Sequence, residues 1–150
     1  MGNWLVKGAY TGIAASLIDG KTLHVLAGIP IKGGKQSGQT IKKLRKYWRE
    51  RKYLFIDEVS MLSRSFLTKL CWIISTAMES KEDEVFGGLN VVLVGDFHQF
   101  PPVIAHRSAP LYWPANSRHD SEDDIFGRKI YEQLTTVVQL HQQIRIQDPE

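Results

Sequence analysis

Two largely apolar runs that each end abruptly at a carboxylate constrain this chain most. Tyr53-Leu54-Phe55-Ile56 leads straight into Asp57-Glu58, and Leu89 to Val94 leads into Gly95-Asp96. Short runs of this kind, without polar alternation, are the profile of strands buried on both faces of a parallel sheet. In open parallel sheets ligands gather at the carboxyl ends of the strands. Both runs therefore predict carboxylates delivered to one sheet edge. Taken singly, Asp57-Glu58 also reads as a solvated turn, and Asp96 as a cap on local backbone groups. Two such strand ends, 39 residues apart from Asp57 to Asp96, weaken both bland readings together.

The rest of the chain supplies strand and helix signals in alternation. Leu5–Ala9 predicts a short strand, and 12–18 a helix stopped by Gly20. Residues 22–29 predict a second helical piece ended by Pro30, and 32–39 a loop. Thr40 is the expected cap of a helix reaching Lys52, with Ile41, Leu44 and Trp48 on one face. Residues 63–80 predict a long helix, 125–134 another, and Thr136–Leu140 a further strand. Residues 81–88 read as a polar turn, and Pro101-Pro102 stiffens the loop after Asp96. Residues 105–124 read as an excursion in which Tyr112 and Trp113 cover the sheet edge. Strand–helix alternation implies an α/β fold, a mostly parallel sheet flanked by helices.

Composition narrows the class. At 150 residues the length suits one domain, and 43% hydrophobic with 23% charged residues reads as globular rather than disordered. No run of about 18 apolar residues occurs, so no membrane partner is expected. The first residues show no basic start followed by a long apolar stretch, hence no cleavable leader is expected. The lone Cys71 excludes an internal disulfide framework and reads as inert core. The five histidines (24, 98, 106, 119 and 141) have no zinc-ligand spacing. Net charge is +3, yet nine of nineteen basic residues fall between Lys32 and Lys52, opposed only by Glu50. That cluster reads as a solvated helix face with inward aromatics, with nucleic-acid contact as the alternative. The acidic string from His119 to Asp124 reads as a solvated loop.

The chemistry follows from the strand ends. An aspartate there suits Mg2+, which takes oxygen ligands and keeps several waters. A neighbouring glutamate suits a general base that polarises the attacking water. An amide such as Gln99 suits a γ-phosphate contact. With these residues in place, five ordered segments become specific. DEVSM at Asp57–Met61 and GDFHQFPPV at Gly95–Val103 resemble motifs II and III of superfamily-one DNA helicases of the Pif family, which also occur in Helitron-type transposons. Thr11-Gly12-Ile13-Ala14-Ala15 and Gly20-Lys21-Thr22-Leu23-His24 resemble the family's stretches along single-stranded DNA, and Leu140–Arg145 resembles its motif IV.

The resemblance implies a RecA-like P-loop NTPase fold and an ATP-dependent helicase moving 5′→3′ on single-stranded DNA and at duplex junctions. It implies ATP and Mg2+ as cofactors, roles in repair, recombination, telomere maintenance or transposition, and a nuclear setting with the mitochondrion as an alternative. Position by position, Asp57 would hold Mg2+, Glu58 would be the base, Gln99 the γ-phosphate sensor and Arg145 the stabiliser of transition-state charge. Asp96 joins Asp57, Gln99 and Arg145 around the nucleotide, while Thr11, Gly12, Thr22 and His24 line the DNA track. One expected motif does not occur. The phosphate-cradling G-x-x-x-x-G-K-[ST] is absent, and Gly33-Gly34-Lys35-Gln36-Ser37 lacks its upstream glycine and its preceding strand. The chain is therefore expected to be an incomplete first motor domain over 1–150, carrying motifs Ia to IV, needing the remainder of the helicase for activity. A catalytically dead transposon-derived remnant is the rival reading.

Overall fold

The computed structural model describes residues 4–30, 36–80, 84–102, 109–116 and 118–142. Four strands form one sheet: β1 (Leu5–Ala9), β2 (Lys21–Thr22), β3 (Tyr53–Asp57) and β4 (Asn90–Leu93). All pairings are parallel and the spatial order is β2-β1-β3-β4. Five helices connect and cover them: α1 (Gly12–Leu17), α2 (Leu23–Leu26), α3 (Gly38–Trp48), α4 (Arg64–Met78) and α5 (Glu122–Glu132). The expected α/β architecture is thus present. No described helix is long and apolar enough to cross a membrane.

Register explains the two faces. Val6 lies beside Leu54 and Gly8 beside Ile56, while Leu54 lies beside Val91. These positions share the face that packs on α2, α3 and α4 in one core with Leu23, Leu26, Trp48, Leu67, Leu70 and Ile74. Full burial of each such leucine or isoleucine contributes about 1.5–3 kcal/mol. The Trp48 ring is completely buried and its Nε1–H donates to the Leu26 carbonyl at 3.2 Å. The opposite face carries Leu5, Tyr53 and Val92, each about half exposed, and among the described residues Ala9 packs there against Ala14 and Ala15 with Ile18 beside them.

Helix starts follow capping chemistry. Ser63, Ser121 and Ser37 each accept a backbone N–H three residues on. Ser37 rather than Thr40 opens α3, because its Oγ takes the Thr40 N–H at 3.2 Å. Ser121 and Asp124 form a reciprocal capping box. This corrects the solvated reading of the acidic string: Asp124 is buried, and Asp120 pairs with Arg64. Cys71 sits in the core beneath the Phe86 N–H, and burial pushes its thiol pKa up, which disfavours a reactive thiolate.

Thr136–Leu140 forms no strand, and Val137, Val138 and Leu140 are strongly exposed. An apolar run becomes a strand only where a neighbour offers its backbone groups, and β4 pairs with β3 alone among the described strands. Arg64, at the head of α4, is fully buried. Its guanidinium pairs with Asp120 at 2.9 Å and donates to the carbonyls of Pro110, Trp113 and Pro114. Arg128 reaches the same segment through the Leu111 carbonyl at 2.9 Å. Gly127 lets α5 cross at this point, since a Cβ there would run into the Arg64 backbone. Tyr112 packs its ring on Phe97 with centroids 5.0 Å apart, so the excursion does close over the loop after β4.

Candidate active site

The sheet's register aligns the strand ends. Ala9 lies beside both Asp57 and Thr22, and Ile56 lies beside Leu93. In an all-parallel sheet this places Thr11, Thr22, Asp57–Glu58 and Gly95–Asp96 along one carboxyl edge. The expected carboxylates and the expected DNA-track residues therefore share that edge, which the linear sequence shows only as four separate segments.

Asp57 is half-buried, and its Oδ1 accepts the Glu58 N–H at 2.9 Å. Glu58 takes a left-handed backbone, φ 55° and ψ 46°, so the chain turns sharply out of β3. The next residue ties this turn to the second motif: the Val59 N–H donates to Val94 at 3.0 Å, and the Val94 N–H donates to Ile56 at 2.8 Å. Gly95 seals the junction. Its φ is +147°, and a Cβ would lie 2.9 Å from Val59 N and 3.0 Å from Val59 Cγ1. Gly95→Ala is accordingly expected to cost roughly 1–3 kcal/mol from backbone strain alone. Urea unfolding would measure it, and an unchanged midpoint would show that the Asp57 and Asp96 turns are not coupled through this contact.

Asp96 is exposed. Its Oδ1 accepts the His98 N–H at 2.9 Å and contacts His98 Nδ1 at 3.1 Å. The backbone hydrogen bond from His98 first, then its ring, hold the carboxyl below the usual range. Gln99 stands exposed on the same turn, its N–H donating to the Asp96 carbonyl at 3.0 Å. Ser60, two residues past Glu58, is buried with its hydroxyl unpaired. An unsatisfied buried hydroxyl costs about 1–3 kcal/mol, so the turn leaves a hydrogen-bonding position open.

These groups fit a magnesium ion held mostly by non-protein ligands. Among the described residues no cluster of three or more His, Cys, Asp or Glu could enclose a metal. Mg2+ does not need one, because it is commonly bound by one or two carboxylates plus waters and substrate phosphates. Asp57, with one oxygen on the Glu58 N–H, can offer that single carboxylate.

Thr11 and Thr22 both cap helices, their Oγ atoms accepting the Ala14 and Val25 N–H groups at 3.3 Å. Their hydroxyls thus have a structural task besides any contact with a ligand. Gly12 is exposed, with open space where a Cβ would sit. His24 lies in an aromatic cluster, its ring centroid 5.4 Å from Tyr10 and 4.9 Å from Phe66. Tyr10 and Phe66 escaped the sequence reading because no spacing links residues 10, 24 and 66; the sheet brings them together. Partial burial, and then the Lys69 charge, lower the His24 pKa and favour the neutral ring.

A lowered histidine pKa makes folding pH-dependent. The unfolded chain takes up a proton near the ordinary value of about 6.5 before the folded chain does. Stability is therefore expected to fall as pH drops through about 6.5 and to level off below the folded pKa. Urea midpoints across that range should show the loss, and His24→Phe should flatten it; an identical profile in both proteins would remove His24 as the cause. Arg145 lies outside the described residues.

Residues 2–148 match the family model described as PIF1-like helicase. The ATP-dependent DNA helicase RRM3 of Saccharomyces cerevisiae is 45% identical over 101 residues, covering 63% of this chain and 14% of that protein. The crystal structure of Pif1 helicase from Candida albicans superposes with a TM-score of 0.57 at 39% identity, over 67% of this chain and 24% of that one. A Bacteroides Pif1 helicase, crystallised in complex with ADP-AlF3 and ssDNA, superposes with a TM-score of 0.54 at 28% identity, over 89% of this chain and 27% of that one. The sequence thus spans a small part of the relatives it matches.

Proposed function

The chain belongs to the PIF1-like helicase family, and from that premise we propose that its carboxyl edge is part of the ATPase and DNA-binding machinery of an ATP-dependent DNA helicase. Its sheet is part of a RecA-like domain, and we assign the described segment to the first motor domain, motifs Ia to IV. The observation that carries the reading is the alignment of Asp57–Glu58, Gly95–Asp96, Thr11 and Thr22 on one edge of an all-parallel sheet.

In this reading Asp57 holds Mg2+, which neutralises phosphate charge when bound. Glu58, on the left-handed turn that leaves β3, accepts the proton of the attacking water. Gln99 donates to the γ-phosphate from the turn that Asp96 braces, and Arg145 stabilises the charge that develops on it. Thr11, Gly12, Thr22 and His24 contact the sugar-phosphate chain or a base of single-stranded DNA. Nucleotide turnover on this edge would be coupled to 5′→3′ movement and separation of duplexes, in nuclear repair, recombination or telomere maintenance.

The test is unwinding by the helicase that carries this segment, on duplexes with a single-stranded 5′ or 3′ tail. Mg-ATP-dependent separation of the 5′-tailed duplex is expected. Separation of the 3′-tailed duplex alone would overturn the polarity, and no nucleotide-dependent unwinding of either would leave the remnant reading standing.

A further inference from the structure

The basic residues of α3 form a surface that the carboxyl edge does not use. Lys42, Lys46 and Arg49 follow at intervals of four and three, which puts them on one stripe of the helix, and all three are exposed. Lys43 and Arg45 flank them. Among the described residues Arg45 pairs with Glu79 at 3.0 Å, whereas Lys42, Lys43, Lys46 and Arg49 make no ion pair. Like charges at i, i+4 such as Lys42 and Lys46 destabilise a helix by a few tenths of a kcal/mol. The stripe therefore works against the helix that bears it.

At the end of α3 the charge becomes interleaved with aromatic rings. Arg51 lies 4.7 Å and Lys21 5.2 Å from the centre of the Tyr47 ring. Lys52 lies 4.9 Å from the Trp4 ring, which is 54% exposed. Trp4 and Lys52 immediately precede β1 and β3, and the Lys52 N–H donates to the Trp4 carbonyl at 2.9 Å. They mark the amino edge of the sheet, Lys52 standing five residues, roughly 16 Å, before Asp57.

We propose that the Lys42–Lys46–Arg49 stripe and the Trp4–Lys52 pair form a second binding surface for single-stranded nucleic acid, separate from the carboxyl edge. The stripe takes successive phosphates, and the exposed Trp4 ring takes an unpaired base. A chain of cations with adjoining aromatic rings matches single strands, whose bases are free to stack. A duplex keeps its bases stacked inside and has no use for the ring. The surface does not rest on the nucleotide-site reading, since none of its residues belongs to the carboxyl edge.

The test uses the 150-residue chain, its Lys42→Gln/Lys46→Gln/Arg49→Gln triple variant, Trp4→Ala and Lys129→Gln. Anisotropy of labelled oligo(dT) of about 16 nucleotides is followed over a salt series. Removing three phosphate contacts should flatten the slope of log affinity against log salt by about 2, at roughly 0.7 per contact for single strands. Trp4→Ala should weaken binding about 5- to 150-fold with the slope retained. Lys129→Gln, at an exposed position of α5 that belongs to neither surface, should leave the slope unchanged, so that a general loss of positive charge is told apart from loss of this surface. Relief of the like-charge repulsion should keep the triple variant folded, which far-ultraviolet circular dichroism would check. An unchanged slope in the triple variant, no binding by the parent chain, or preference for a blunt duplex or heparin over oligo(dT) overturns the proposal.

Discussion

Replacing Arg64 with methionine is expected to destabilise the chain by about 3–5 kcal/mol, the range for breaking a buried ion pair by removing one partner. The side chain is fully buried and meets an acceptor at every face of its guanidinium: Asp120 Oδ2 and the carbonyls of Pro110, Trp113 and Pro114. Methionine fills the stem's volume but takes the ion-pair partner from Asp120, whose side chain is only 9% exposed and retains the Asn116 N–H, and removes one donor from each of three carbonyls. Domains of this size are stable by about 5–15 kcal/mol, so the loss is a large share of the total. Urea unfolding at neutral pH would measure it. Adding Asp120→Asn should recover part of the loss by removing the stranded charge. Arg64→Lys should not restore stability, because a single ammonium cannot reproduce the planar fork that reaches several acceptors at once. An unchanged unfolding midpoint in Arg64→Met would mean that this network does not hold the 109–120 segment on α4.

The second large effect is chemical. In the helicase that carries this segment, Glu58→Gln is expected to slow DNA-stimulated ATP hydrolysis by about 10²- to 10⁴-fold, the usual share of a general base. Glutamine keeps the size of the side chain and tolerates the same backbone, but it cannot take the water's proton. The junction made by Val59, Val94 and Gly95 uses backbone groups and is untouched by the change. Nucleotide binding should therefore persist while phosphate release falls. Phosphate release on single-stranded DNA and nucleotide binding, measured on the same preparation, separate the two effects. Hydrolysis at the parent rate would remove Glu58 as the base while leaving Asp57 as the metal ligand.

The strands and main helices were legible because their signals are local. Tyr53–Asp57 and Asn90–Leu93 are apolar runs bounded by polar turns, and α4 shows its buried stripe of Leu67, Leu70, Cys71 and Ile74 at helical spacing. The two-residue β2 was not legible: Lys21-Thr22 has no apolar run, and it becomes a strand only because β1 lies beside it. Thr136–Leu140 fails in the opposite sense, with the composition of a strand and no strand beside it among the described residues. The Asp120–Asp124 string misled because its charge suggested solvent, whereas Asp120 answers a buried arginine 56 residues away. Nothing in sequence spacing announces such a partner.

The residues of the candidate site divide the same way. Asp57, Glu58, Asp96 and Gln99 were visible as acids and an amide at the ends of apolar runs, since strand termination and polar chemistry coincide there. That the turns after Asp57 and before Asp96 meet, with Gly95 against Val59, depends on contacts between segments 39 residues apart. So does the Tyr10–His24–Phe66 cluster, which sets the protonation of His24 by burial.

By itself, then, the amino-acid sequence determined the α/β class and which side chains stand at strand ends, because these are set by neighbours along the chain. Only the tertiary structure decided the strand order, the shared carboxyl edge, the burial of Arg64 and the Trp4–Lys52 pair at the opposite edge. Those depend on which distant segments pack together, and burial and pairing energies belong to that packing rather than to any one segment.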